Sequence, residues 1–199
     1  MTSLGFGLIG TGFIGRAHAI ALSAVGTVFT DITAPALVLV ADSDTVRAAA
    51  AATALGFARS TGDWRDVIHD PAVDVVDICT PNYLHREMAL AAIAAGKHVY
   101  CEKPLANTAQ EAREIADAAC AAGVVHAIGF NYSCNPLLQV ARAMVAAGEL
   151  GEVIGLRGCY LEDYMSDPAL PWSWRCDRQL AGAGALADLG SHLVNAAHL

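Results

Sequence analysis

Short apolar runs alternate with amphipathic, alanine-rich stretches through residue 130. Leu4 to Ile9 reads as a buried strand that runs into a glycine turn and then a helix, with Ile14, Ala17, Ala21 and Ala24 at helical spacing. A loop from Gly26 to Pro35 precedes a second strand, Ala36 to Ala41. The next helix spans about Asp44 to Leu55, with Gly56 placed to stop it. Phe57 to Arg59 reads as a short third strand, and Asp63 to Ile68 as a short helix ended by Asp70-Pro71. Val73 to Cys79 is an apolar strand interrupted by Asp74 and Asp77. Leu84, Met88, Ala91 and Ala95 mark a helix that Gly96 closes, and His98 to Cys101 is a fifth strand. Thr108 and Glu111 form a T-x-x-E capping box for a helix to about Ala122, followed by a sixth strand, Val124 to Ile128. This alternation predicts an α/β fold with a doubly wound parallel sheet, whose ligands sit at the carboxyl ends of the strands.

From Asn131 the rhythm changes. Pro136 to about Ala147 reads as a helix, Val153 to Leu161 as a longer strand, and Asp163 to Gly184 as irregular. A last helix carries Asp188 and His192. Residues 1–130 therefore read as one α/β domain, and residues 131–199 as the beginning of an α+β second domain. The chain stops at Leu199 inside a helical pattern with one clear strand in this part, and a single long strand does not make a stable sheet.

The turn after the first strand is G-x-G-x-x-G. Gly10 permits the tight turn, Gly12 lets the backbone approach a pyrophosphate, and Gly15 lets the helix pack close to the sheet. Gly10, Thr11, Gly12, Phe13, Ile14 and Gly15 are thus candidate cofactor-binding residues, with the helix N-terminus offering unpaired N–H groups to phosphates. The alternative is an ordinary glycine-rich turn with no ligand. Asp42, at the end of the second strand, is where a ribose 2′-hydroxyl would be held, and it would repel a 2′-phosphate, which favours NAD over NADP. Asp42 could instead cap the helix that follows. Thr80 and Glu102 also fall at strand ends.

Composition narrows the classes. Hydrophobic residues make up 55% and charged ones 16% of 199 positions, as in a globular protein. A net charge of −8 argues against nucleic acid and anionic membranes. No apolar run reaches the roughly 18 residues of a membrane span, and the N-terminus lacks the regions of a signal peptide. The six cysteines form no C-x-x-C pair and read as buried thiols in a reducing cytoplasm, with no metal site expected.

The segment Cys79-Thr-Pro-Asn-Tyr-Leu-His85, continued by Ala95-Gly-Lys-His-Val-Tyr-Cys-Glu-Lys-Pro-Leu-Ala106, together with the glycine turn, resembles the Gfo/Idh/MocA family of glucose–fructose oxidoreductases and inositol dehydrogenases. Glu102-Lys103-Pro104 is its most specific mark, and Asp188-Leu-Gly-Ser-His192 resembles its second signature. The resemblance covers residues 4–199. It implies a Rossmann domain and a nicotinamide-dependent dehydrogenase acting on a hydroxyl of a sugar or polyol, homo-oligomeric in its full-length form. By position, Lys103 matches the catalytic lysine, and Asp188 and His192 the acidic residue and histidine. Thr80, Pro81, Asn82 and His85 match the loop along the nicotinamide half of the cofactor, and Asn131 and Tyr132 the segment into the second domain. Ser133 stands where the family often has arginine, and family members are much longer chains.

The residues themselves fit alcohol oxidation. A lysine whose pKa is lowered by desolvation or a nearby cation can take the hydroxyl proton, and Lys103 lies at a strand end beside the expected cleft. It could equally be a surface lysine paired with Glu102. Asp188 and His192, four apart, share a helix face; the bland alternative is an N-cap and a packed histidine. His18, His69, His98, His126 and His198 read as structural or solvated, His85 after the Thr-Pro-Asn turn being the exception, and Trp172, Trp174 and Arg175 as either pocket or interface. A different functional class, a dinucleotide-binding sensor without turnover, stays open, as does an enzyme working as a reductase or hydride shuttle.

Overall fold

The structure is a computed structural model that describes residues 3–199. These separate into two compact units, one ending at residue 128 and the other spanning 129–199.

The first unit is a six-stranded parallel sheet. Its strands are β1 (Gly5–Ile9), β2 (Ala36–Ala41), β3 (Arg59–Thr61), β4 (Val75–Ile78), β5 (His98–Cys101) and β6 (His126–Ile128). They are ordered β3-β2-β1-β4-β5-β6, so the sheet reverses direction of growth between β1 and β4. That switch point is where an open α/β sheet leaves a crevice. Five helices connect the strands: α1 (Phe13–Val28), α2 (Thr45–Leu55), α3 (Trp64–His69), α4 (His85–Ala94) and α5 (Ala109–Ala122). Side-chain alternation along the strands divides the core. Leu8 and Val40 pack with Ala19 of α1 and Ala52 of α2 on one face. Ile9, Leu39 and Ile78 pack with Val67 of α3, Met88 of α4 and Ile115 of α5 on the other.

Local chemistry sets the helix ends. The Asp44 and Asp63 carboxylates accept N–H groups of the first turns of α2 and α3, and Thr108 and Glu111 make a reciprocal capping box on α5. Gly56 and Gly123 end α2 and α5 at φ +83° and +67°.

Several expectations need correction. Helix α1 runs through Gly26 to Val28, into the stretch read as loop, and its inward residues are Gly15 and Ala19, whereas Ala17 and Ala21 are exposed. The third strand begins at Arg59 because Phe57 is drawn into the core beside Leu8 and Val40. Asp44, not Asp42, caps α2.

The second unit contains α6 (Pro136–Ala146), a short helix α7 (Arg178–Ala181) and α8 (Ser191–Ala197). Residues 153–161 do not form the expected strand: among the described residues they pair with no ladder, and Ile154 is 96% exposed. A strand is defined by its neighbour, and no neighbour is at hand. The last helix is also less regular than expected. Leu186–Gly190 forms a π-helical turn before α8 begins. Only Cys79 and Cys101 are buried; Cys120, Cys134 and Cys159 are exposed and all six thiols are free. No helix among the described residues is long and apolar enough to cross a membrane.

Candidate active site

The glycine turn follows the carboxyl end of β1, and each glycine is used differently. Gly10 has φ +100°, a backbone region that side chains avoid, and a Cβ there would lie 2.6 Å from the Cys79 carbonyl oxygen. A Cβ on Gly15 would collide with the Gly10 carbonyl. At Gly12 nothing lies within 4 Å of where a Cβ would be. Gly12 is also the N-cap of the sixteen-residue α1, and no side chain caps that end. Bare backbone N–H groups at a long helix start, beside open space, make a cradle that fits a dinucleotide pyrophosphate. Phe13 is exposed and Ile14 is half-buried against the core.

Asp42 closes the β2 side of the turn. One carboxylate oxygen accepts the Thr11 N–H at 3.1 Å and also the Thr11 hydroxyl. The other accepts the Asp44 N–H at 3.1 Å and the Arg47 guanidinium at 2.9 Å. Partial burial opposes ionisation, but these donors outweigh it and hold the Asp42 carboxyl below its ordinary range. A negative charge therefore stands next to the glycine turn.

Across the switch point, Thr80, Pro81 and the buried Asn82 follow β4, and the Asn82–Leu84 turn leads into α4. His85 is fully buried. Its ring nitrogens lie 2.9 Å from the Thr80 carbonyl and 2.8 Å from the Pro104 carbonyl. Burial pushes its pKa down despite those two carbonyls. Both nitrogens face carbonyl oxygens, and the neutral ring donates to one of them, so His85 sits between the loop after β4 and the corner after β5. That corner is Glu102-Lys103-Pro104, with a cis peptide before Pro104. Glu102 is buried, its N–H donates to the Ile78 carbonyl, and its carboxylate accepts the Lys103 N–H at 3.1 Å. Gly10 against Cys79, Thr80 tied through His85 to Pro104, and Glu102 on β4 bring the turn and the Lys103 corner to one rim of the sheet.

Beneath that rim lies a residue the sequence reading set aside. His18 of α1 places Nδ1 3.0 Å from Asp77 and Nε2 3.1 Å from Glu102. Burial disfavours its charge, but the two carboxylates outweigh burial and raise its pKa to about 9. The signal in the sequence was Asp77 itself, a carboxylate inside an apolar strand that must find a partner. Cys79 Sγ sits 3.2 Å from His18 Nδ1, so His18, Asp77 and Cys79 form a compact set of potential metal donors. Burial, with Asp77 and Glu102 nearby, pushes the Cys79 thiol well up, and a protonated thiol beside an imidazolium is a poor metal ligand.

In the second unit, Asn131 and Tyr132 lie in a short 3₁₀ turn, and the Ser133 hydroxyl donates to the Phe130 carbonyl. Asp188, in the π-helical turn, accepts the Tyr164 hydroxyl at 2.8 Å and faces Arg175 Nε at 3.4 Å; Arg175 also lies over the Trp174 ring. Trp172 is exposed. His192, at the start of α8, is buried in an aromatic box. It stacks on Tyr160, meets Tyr132 edge-on at 4.8 Å between ring centroids, and lies edge-on to Phe130. The Tyr132 and Tyr160 hydroxyls are 2.7 Å apart.

Residues 4–130 match the model of an oxidoreductase family with an NAD-binding Rossmann fold, and residues 138–199 match the C-terminal domain model of the same family. The chain belongs to the Gfo/Idh/MocA family. Among its relatives, levoglucosan dehydrogenase of Pseudarthrobacter phenanthrenivorans is 43% identical over 99% of this chain and 51% of its own length. D-Glucoside 3-dehydrogenase of Escherichia coli is 36% identical over 81% of this chain and 45% of its own. The structure of levoglucosan dehydrogenase in complex with NADH and levoglucosan superimposes with a TM-score of 0.95, over 98% of this chain and 53% of that one. This Gfo/Idh/MocA chain spans about half the length of the curated relatives it matches.

Proposed function

We propose that this protein is an NAD-dependent dehydrogenase that oxidises a hydroxyl of a sugar or polyol, with Lys103 as general acid/base. The observation that carries the reading is the shared rim: the open cradle at Gly12 follows β1 and the Lys103 corner follows β5, on either side of β4, linked through Gly10, Cys79, Thr80, His85 and Pro104. The family membership and the sugar dehydrogenases among its relatives support the substrate class.

In this reading Gly10 to Gly15 bind the pyrophosphate through backbone N–H groups, Asp42 holds the adenosine ribose, and Thr80, Pro81 and Asn82 border the nicotinamide half. Glu102 and His85 hold the loops in place. Lys103 moves the proton of the reacting hydroxyl, and the nicotinamide, when bound, supplies the hydride chemistry. Asp188 and His192 are assigned to substrate hydroxyls and Asn131 to the cofactor by their match to the family's sequence positions. The negative charge of Asp42 favours NAD over NADP, and the six free thiols fit a reducing, cytoplasmic setting. Homo-oligomerisation of the full-length form belongs to the same proposal.

The test is a panel of inositols, aldoses and levoglucosan with NAD⁺ and NADP⁺, followed at the absorbance of the reduced nicotinamide. Turnover of a sugar or polyol with NAD⁺ is the expected result. Tight cofactor binding with no turnover across the panel would transfer the protein to the class of dinucleotide sensors.

A further inference from the structure

We infer that His18 is a positioning residue for the Lys103 corner, acting as a charged clamp between Asp77 and Glu102. This rests on the reading of Lys103 as the proton-transfer residue. Both ring nitrogens of His18 face carboxylate oxygens, Nδ1 at 3.0 and 3.1 Å from the two oxygens of Asp77 and Nε2 at 3.1 Å from Glu102. Carboxylates accept hydrogen bonds, and a neutral imidazole has a single N–H to give. Only the imidazolium satisfies both partners, and only it neutralises either of two carboxylates that are themselves almost wholly buried, Asp77 at 1% and Glu102 at 6% exposure.

The clamp has a definite output. One oxygen of Glu102 is held by His18, and the other accepts the backbone N–H of Lys103 at 3.1 Å. The orientation of the Glu102 carboxylate thereby fixes the peptide plane from which the Lys103 side chain leaves. His18 itself comes from α1, the helix whose first turn forms the phosphate cradle. A single imidazolium thus joins the cradle helix to the corner that carries the proposed base. The other groups facing His18 are the Cys79 thiol at 3.2 Å, which burial keeps protonated, and the Tyr100 ring, with centroids 5.3 Å apart. The protonated thiol supplies no competing charge.

The experiment is a pH titration from 6.5 to 10 of the isotopically labelled full chain by NMR, following the His18 ring carbons and the Lys103 amide nitrogen. The clamp requires both to inflect together, with a midpoint near 9. In Glu102→Gln, the His18 midpoint falls and the Lys103 amide loses its inflection. A Lys103 amide that stays flat while His18 titrates in the unmodified chain overturns the inference, as does a His18 midpoint at its ordinary value. The unmodified chain alone decides these points should Glu102→Gln fail to fold. Retained turnover in Lys103→Met would instead overturn the proton-transfer reading, and the shared inflection would still establish the clamp.

Discussion

Gly15 packs directly on the carbonyl of Gly10, so closely that no β-carbon fits between them. Gly12, two residues from Gly10, has free space where its β-carbon would be and an ordinary φ of −65°. The two positions should therefore respond oppositely to the same change. Gly15→Ala forces α1 away from the sheet and costs roughly 1–3 kcal/mol of stability, read as a lower unfolding midpoint. Gly12→Ala leaves the midpoint unchanged and weakens NADH binding by about tenfold or more, since a methyl group then occupies the cradle. Fluorescence titration with NADH beside a denaturation curve separates the two effects.

Asp42 keeps its charge because Thr11, the Asp44 N–H and Arg47 all donate to it. Removing the carboxylate frees the Arg47 guanidinium and abolishes the repulsion of a 2′-phosphate. Asp42→Ser should shift the preference between NAD⁺ and NADP⁺ toward NADP⁺ by on the order of tenfold or more, as expected for removal of a like charge. The ratio of the two dissociation constants checks it. An unchanged ratio would remove Asp42 from cofactor selection.

Lys103→Met removes the amine without removing the length of the side chain. Turnover should drop by roughly 10²–10⁴, the range for a general acid/base, while NADH still binds. Comparable turnover in the variant would sink the assigned role.

His18 predicts a pH dependence of stability with a definite sign. Its folded pKa, about 9, lies above the ordinary 6.5. The stabilisation it provides is complete below about pH 6.5 and is lost as pH rises through 9. The thermal midpoint should fall by on the order of several degrees between pH 7 and pH 10. In Asp77→Asn the fall should be smaller and begin at lower pH, because one of the two carboxylates that raise the histidine is gone.

The β–α alternation was legible because each element carried its own local signature. Thr108 with Glu111, Gly56 and Gly96 announce helix ends without reference to anything distant, and apolar runs such as Ala36–Ala41 announce buried strands. The conformational tasks of Gly10 and Gly15 were legible for the same reason. His18 was not, because its role comes from Asp77 and Glu102, 59 and 84 positions away. His85 shows a related gap: its motif placed it beside the loop, but only the fold reveals that both nitrogens face carbonyls. Residues 153–161 were misread because β-forming composition describes a preference, while a strand also needs a partner.

That last stretch has a practical consequence. Ile154, Leu156 and Leu161 stand 96%, 66% and 86% exposed along a backbone with no ladder. Apolar, exposed and unpaired chain is a surface on which other molecules stick. Precipitation at high concentration should begin here, and a charged residue in place of Ile154 should raise the solubility ceiling of the isolated chain while leaving the parallel sheet untouched.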